Sequence, residues 1–189
     1  IVRQASATSL SYPANYFDAV ITDPPYYINV PYADLSDFFY VWLKRTIGDL
    51  YPELFATPLT PKEEEICQMQ HWDPIRYKEK DKFWFESMMT KAFCEMYRVL
   101  KPEGIACIVF AHKSTEAWET IINALSNSGL YLTASWPVHT EMKERFRGSE
   151  SAALASSIYM VCRKRTENRT AYFNEIKSQI EARIKEKLE

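Results

Sequence analysis

An apolar run stopped by two prolines limits the fold more than any other feature of this chain. Residues 17–22 read Phe-Asp-Ala-Val-Ile-Thr, and Asp23-Pro24-Pro25-Tyr26 follows at once. A short run rich in β-branched and aromatic residues, bounded by breakers, is a strand. Its near-continuous apolar character predicts cover on both faces, as in a parallel sheet. Proline has no backbone N–H, so two in a row cannot continue the ladder. Asp23 is therefore expected at the carboxyl end of a buried strand, on a stiff turn, with the Tyr26 ring just beyond. In open α/β sheets, ligands bind off the carboxyl ends of the strands.

The chemistry that suits such a turn is narrow. An exocyclic amine on a planar base offers two N–H donors. The Asp23 carboxylate and the Pro24 carbonyl can accept both, which aims the nitrogen lone pair at an electrophile. Tyr26 offers a face for stacking, worth about 1–3 kcal/mol per base. Asp-Pro-Pro by itself also makes an ordinary turn with the aspartate as a local cap.

The four residues resemble motif IV of the amino-methyltransferases, S-adenosylmethionine (SAM) enzymes that methylate adenine N6 or cytosine N4 in DNA. The longer stretch DPPYYINVPYADLSDFFYVWLKR at 23–45, followed by TPKEEE at 60–65, is similar to large adenine-specific DNA methylases of the domain-of-unknown-function 1156 type. The likeness runs over residues 12–165 and is strongest over 18–65; Ile28 stands where that family commonly has an acidic or small residue. The resemblance implies a SAM-dependent adenine-N6 methyltransferase working on a flipped DNA base. It makes Asp23, Pro24, Pro25 and Tyr26 the catalytic turn, with Asp23 and Pro24 also meeting the cofactor. Tyr27, Tyr32 and Trp42 are candidate walls of the base pocket. His112, at the end of a later strand, is a candidate for the pocket rim, and Arg145 and Arg147 are candidate phosphate contacts. Guanine N2 in RNA meets the same acceptor geometry and is the rival substrate.

Composition narrows the rest. The chain has 189 residues, enough for one domain with a real core. Its net charge of −2 gives no bulk attraction to phosphate, so any nucleic-acid contact must be local. It has no apolar run of about 18 residues and no signal peptide, so the expected compartment is cytoplasmic and no membrane partner is expected. The four cysteines form no Cys-x-x-Cys pair, so the spacing of a zinc ribbon or redox dithiol is absent. Cys94, Cys107 and Cys162 sit in apolar patterns and read as core thiols. The four glycines, Gly48, Gly104, Gly129 and Gly148, are isolated. A SAM site needs a glycine turn after one strand and an acid after the next, and neither can be found here. The expectation is a chain that starts partway through its domain, with the SAM-binding portion supplied upstream. A catalytically inactive binding or assembly module is the alternative.

Read in order, residues 35–45 form a helix with Asp34 or Ser36 as cap and Gly48 beyond. An insertion at about 46–81 lies over the active-site face. Its charged part from residue 60 reads as a solvated loop with a short helix, or as a lid bringing Lys62, His71, Trp72 and Arg76 to the nucleic acid. A helix opens at Asp81 with Phe83, Met88 or Met89, Ala92, Phe93, Met96, Tyr97 and Leu100 inward. Lys101-Pro102-Glu103-Gly104 ends it, and 105–111 is a buried strand. Residues 115–128 form a helix with Trp118, Ile121, Ile122 and Leu125 inward and Gly129 as C-cap. Strands follow at 130–136 and 155–162. The expected class is α/β: a partial Rossmann-like SAM-dependent methyltransferase sheet from the motif strand onward, ending in an antiparallel edge hairpin, without the first SAM-binding strands. Residues 1–165 make this catalytic part and 166–189 a terminal helix. Its stripe of Phe173, Ile176, Ile180, Ile184 and Leu188 must bury against its own domain, the upstream portion, or a second copy in a homo-oligomer.

Overall fold

The computed structural model describes residues 5–25, 30–112, 114–138, 157–166 and 172–188. Four strands and four helices follow in the order β1 (Phe17–Thr22), α1 (Tyr32–Ile47), α2 (Lys82–Val99), β2 (Leu100–Phe110), α3 (Thr115–Ser128), β3 (Leu130–Val138), β4 (Ser157–Lys164) and α4 (Phe173–Leu188). The class is the expected one, an open α/β sheet. Its strand order is β1-β2-β4-β3, with β1 parallel to β2 and β4 antiparallel to both β2 and β3. Strands β1, β2 and β3 therefore run the same way, and their carboxyl ends share one rim. The last hairpin lies at the sheet edge, with β3 outermost.

Helix α2 starts where Asp81 caps it, its carboxylate accepting from the Trp84 N–H at 2.8 Å. Its buried stripe of Phe85, Met89, Ala92, Phe93 and Met96 recurs at three and four, the helical repeat. Phe83 turns outward and is exposed, as is Cys94, which is therefore not a core thiol. The stripe meets Ala117, Ile121, Ala124 and Leu125 of α3, and both helices cover Ala106, Ile108 and Phe110 of β2 and Met160 and Cys162 of β4. Ile122, expected inward, is exposed because the α3 contact face is centred on Ile121 and Leu125. Each fully buried Phe or Leu contributes about 1.5–3 kcal/mol.

The Lys101–Gly104 segment does not separate α2 from β2 as expected. The strand begins at Leu100, directly after the helix, and residues 101–104 bulge. The partner of Phe17 is Leu100, but the partner of Ala19 is Ile105. Pro102 cannot donate to the ladder, and Gly104 lets the bulge close. A Cβ there would lie 2.7 Å from Leu100 Cδ1 and 3.0 Å from the Asp18 carbonyl oxygen.

The other sheet face is open among the described residues. Register places Ala19 and Ile21 of β1, Ile105, Cys107 and Val109 of β2, Val161 of β4 and Trp136 of β3 on it. Ile21 is 76% exposed and Trp136 58%. Double-sided burial of β1 is thus not observed: its alternate residue Val20 packs on the core and Ile21 does not. Helix α4 packs closely on no other described element, and Ile180 and Ile184 of its stripe are exposed.

Candidate target-amine site

Asp23 follows the last residue of β1 and is exposed, whereas Pro24 is buried and Pro25 half-buried. Among the described residues, no cation pairs with the Asp23 carboxylate. Pro25 borders a hollow of about 490 Å³ whose other walls include Pro61, Glu64, Glu65 and Ile66. Asp23 thus stands at the sheet rim, two positions before the residue that borders the hollow. Tyr26 and Tyr27 lie outside the described residues, as do Arg145 and Arg147.

Tyr32 is the first residue of α1 and lies within the field of Asp23. Partial burial, then Cys67, Asp23 and Glu65, push its phenol above the ordinary tyrosine value. The phenol stays protonated at neutral pH and keeps its O–H as a donor. Trp42 is not brought to this point. It sits ten positions along α1, about 15 Å along the axis, exposed and with the Arg45 guanidinium 5.6 Å from its ring centre. His112 follows the end of β2, on the same rim as Asp23, and is tied into the fold. Its Nδ1 accepts the Ser114 N–H at 3.0 Å, its carbonyl accepts Trp118 Nε1 at 2.8 Å, and its ring stacks on Phe110. Burial lowers its pKa, so the imidazole is neutral at pH 7.

Helix α1 begins at Tyr32, earlier than expected, and neither Asp34 nor Ser36 caps it. Pro31 holds the cap position without a side-chain bond, and the Ser36 hydroxyl donates back to the Tyr32 carbonyl at 2.7 Å. The cap comes from far along the chain: Glu65 Oε1 accepts the Ala33 N–H at 3.2 Å. Residues 60–80 are thus neither a solvated loop nor, among described residues, helical. They form a strap with a small core of its own, Cys67, Met69 and Tyr77. Lys62, expected near nucleic acid, is instead 4% exposed, with its Nζ 2.5 Å from the Asp37 carboxylate on α1. Burial acts to raise the Asp37 pKa, but the bonds from Lys62 and Thr60 outweigh it and the net shift is down. Lys80, also buried, donates to the carbonyls of Lys62 and Glu65, both at 2.6 Å, and lies 4.8 Å from the Trp84 ring centre. Arg76 lies over the Tyr77 ring, 5.1 Å from its centre, and Trp72 remains exposed. Sequence reasoning missed Thr60, Glu65, Cys67 and Lys80. Lysines spaced among Tyr77, Trp84 and prolines were the available signal, since a lysine stem packs well on rings.

Asp23 and Pro24 stand at the strand end, but among the described residues no glycine turn and no second strand-end acid stand with them. Gly104 serves the β2 bulge and Gly129 ends α3 in the left-handed region at φ 86°. The described residues do not fit the whole of SAM.

Superposition on solved structures finds crystal structures of a Thermus thermophilus protein assigned as a DNA modification methylase. Its selenomethionine derivative gives a TM-score of 0.45 at 13% identity, over 91% of this chain and 56% of that one. Its complex with S-adenosyl-L-methionine gives 0.41 at 15% identity, over 88% and 55%. The chain thus spans little more than half the length of the protein it resembles in shape. No protein-family profile matches the sequence, and no curated protein matches it significantly.

Proposed function

We propose that this chain is the amine-binding part of a SAM-dependent DNA methyltransferase acting on adenine N6. The observation that carries the reading is the exposed Asp23 carboxylate at a strand end, paired with no cation among the described residues and two positions before Pro25, which borders an open hollow. Asp23 and the Pro24 carbonyl accept the two amine protons, which orients the nitrogen lone pair. Orientation of this kind is worth several kcal/mol without Asp23 acting as a strong base. SAM, when bound, supplies an electrophilic methyl group. A base in duplex DNA must first leave the stack, at a cost of a few kcal/mol recovered by pocket contacts.

The rest of the cofactor seat, in this proposal, belongs to a preceding portion of the polypeptide carrying the glycine turn. The open sheet face around Ile21, Ile105 and Trp136 offers apolar surface for its helices. The test is methyl transfer from radiolabelled SAM to DNA and, in a parallel reaction, to RNA by the chain expressed with the sequence encoded immediately upstream, followed by digestion and mass spectrometry of the bases. N6-methyladenine is expected, and Asp23→Ala should abolish it while leaving thermal unfolding within about 2 °C, since the residue is exposed. A folded Asp23→Ala protein with full activity refutes the assignment. N2-methylguanine formed in RNA replaces the substrate, and no transfer at all favours a binding module.

A further inference from the structure

The strap at residues 60–80 grips the backbone on both sides of Tyr32. Before it, the Cys67 thiol donates to the Val30 carbonyl at 3.7 Å. After it, Glu65 takes the Ala33 N–H, and the Thr60 hydroxyl donates to the Ala33 carbonyl at 2.7 Å. A helix start leaves its first N–H groups without intrahelical partners, and Pro31 has no side-chain acceptor to offer them. Glu65 supplies that acceptor from 32 residues away and places its negative charge at the positive end of α1. The strap itself is fixed. Lys62 binds Asp37 one turn further along α1, and Lys80 ties the carbonyls of Lys62 and Glu65 together.

We propose that Glu65 is a positioning residue: by capping α1 from the strap, it fixes where Tyr32 stands at the helix start, so that a flat base whose exocyclic amine is held by Asp23 also meets the Tyr32 side chain. This rests on the amine-site reading above. The strap is then a fixed wall of the pocket and not a lid.

The test uses the purified chain with ¹³C-labelled tyrosine, the Tyr32 signal being assigned with Tyr32→Phe. A fluorescein-labelled, adenine-containing single-stranded oligonucleotide serves as the binding probe. Glu65→Ala should move the Tyr32 ring resonances and weaken probe binding about tenfold. Glu65→Gln keeps the Oε1 acceptor and should leave the ring signals in place and binding within about twofold. Unmoved Tyr32 signals in Glu65→Ala, or equal movement in both variants, overturn the proposal. If Glu65→Ala does not fold, Thr60→Val removes the hydroxyl that holds the Ala33 carbonyl and carries the same expectation. An unaltered chain that fails to bind the probe counts against the amine site, while the Tyr32 shift still decides the clamp.

Discussion

Replacing Glu95 by Gln tests how the lead-in to the motif strand is held. The Glu95 carboxylate on α2 accepts the Leu10 N–H at 2.9 Å and bonds from Arg98 Nε and a terminal guanidinium nitrogen, both at 2.8 Å. Arg98 also donates to the carbonyls of Tyr12 and Leu10, at 2.8 and 2.9 Å. The Asn15 and Tyr16 N–H groups then bond the Arg98 and Val99 carbonyls, so residues 10–16 are sewn along the end of α2 before β1 begins. The Arg98 bonds, then the Leu10 N–H, hold the Glu95 carboxyl down to about 2, against an ordinary 4.5. A depressed folded value means that the stabilisation is complete above the unfolded pKa of 4.5 and disappears as pH falls toward 2. At full strength it is worth about 3 kcal/mol. The side chains of Arg98 and Glu95 are 37% and 19% exposed, so screening by solvent reduces this to about 1–2 kcal/mol. Glu95→Gln keeps the shape and removes the charge. Urea unfolding followed by tryptophan fluorescence should show it about 1–2 kcal/mol less stable than the unaltered chain at pH 7, with more than half of that gap gone toward pH 2. A gap that stays constant with pH, or no gap at pH 7, would show that charge on Glu95 does not anchor this segment.

Two further outcomes follow from the core. Gly129 sits at φ 86°, and an added Cβ would lie 3.1 Å from the Tyr97 ring. Gly129→Ala should therefore cost about 1–2 kcal/mol, read as a lowered urea midpoint at unchanged slope. Burial pushes the thiols of Cys67 and Cys162 up to about 12 and about 11, whereas Cys94 is exposed. Iodoacetamide at pH 8 should label Cys94 first, with Cys67 and Cys162 protected until urea unfolds the chain, as mapped by mass spectrometry.

The local signals in this sequence were those in which one short segment fixes its own structure. The apolar run ended by Pro24 and Pro25 specified β1 and an acid at its end. Asp81 followed by apolar residues at three and four specified α2, and Gly129 specified the stop of α3. What depended on partners far along the chain was not legible. Alternation cannot say whether a strand has one covered face or two, so the exposure of Ile21 emerged only once α2 and α3 were both seen on the same side of the sheet. A charge-rich stretch reads as solvated because burying an ammonium ion is costly unless acceptors surround it. Asp37, 25 residues from Lys62, and the carbonyls around Lys80 are those acceptors, and only the folded chain brings them there. The sequence by itself determined where Asp23 stands, because two prolines leave the backbone little choice. The tertiary structure alone decided how the start of α1 is held, because the backbone on both sides of Tyr32 is bonded by residues about 30 positions away.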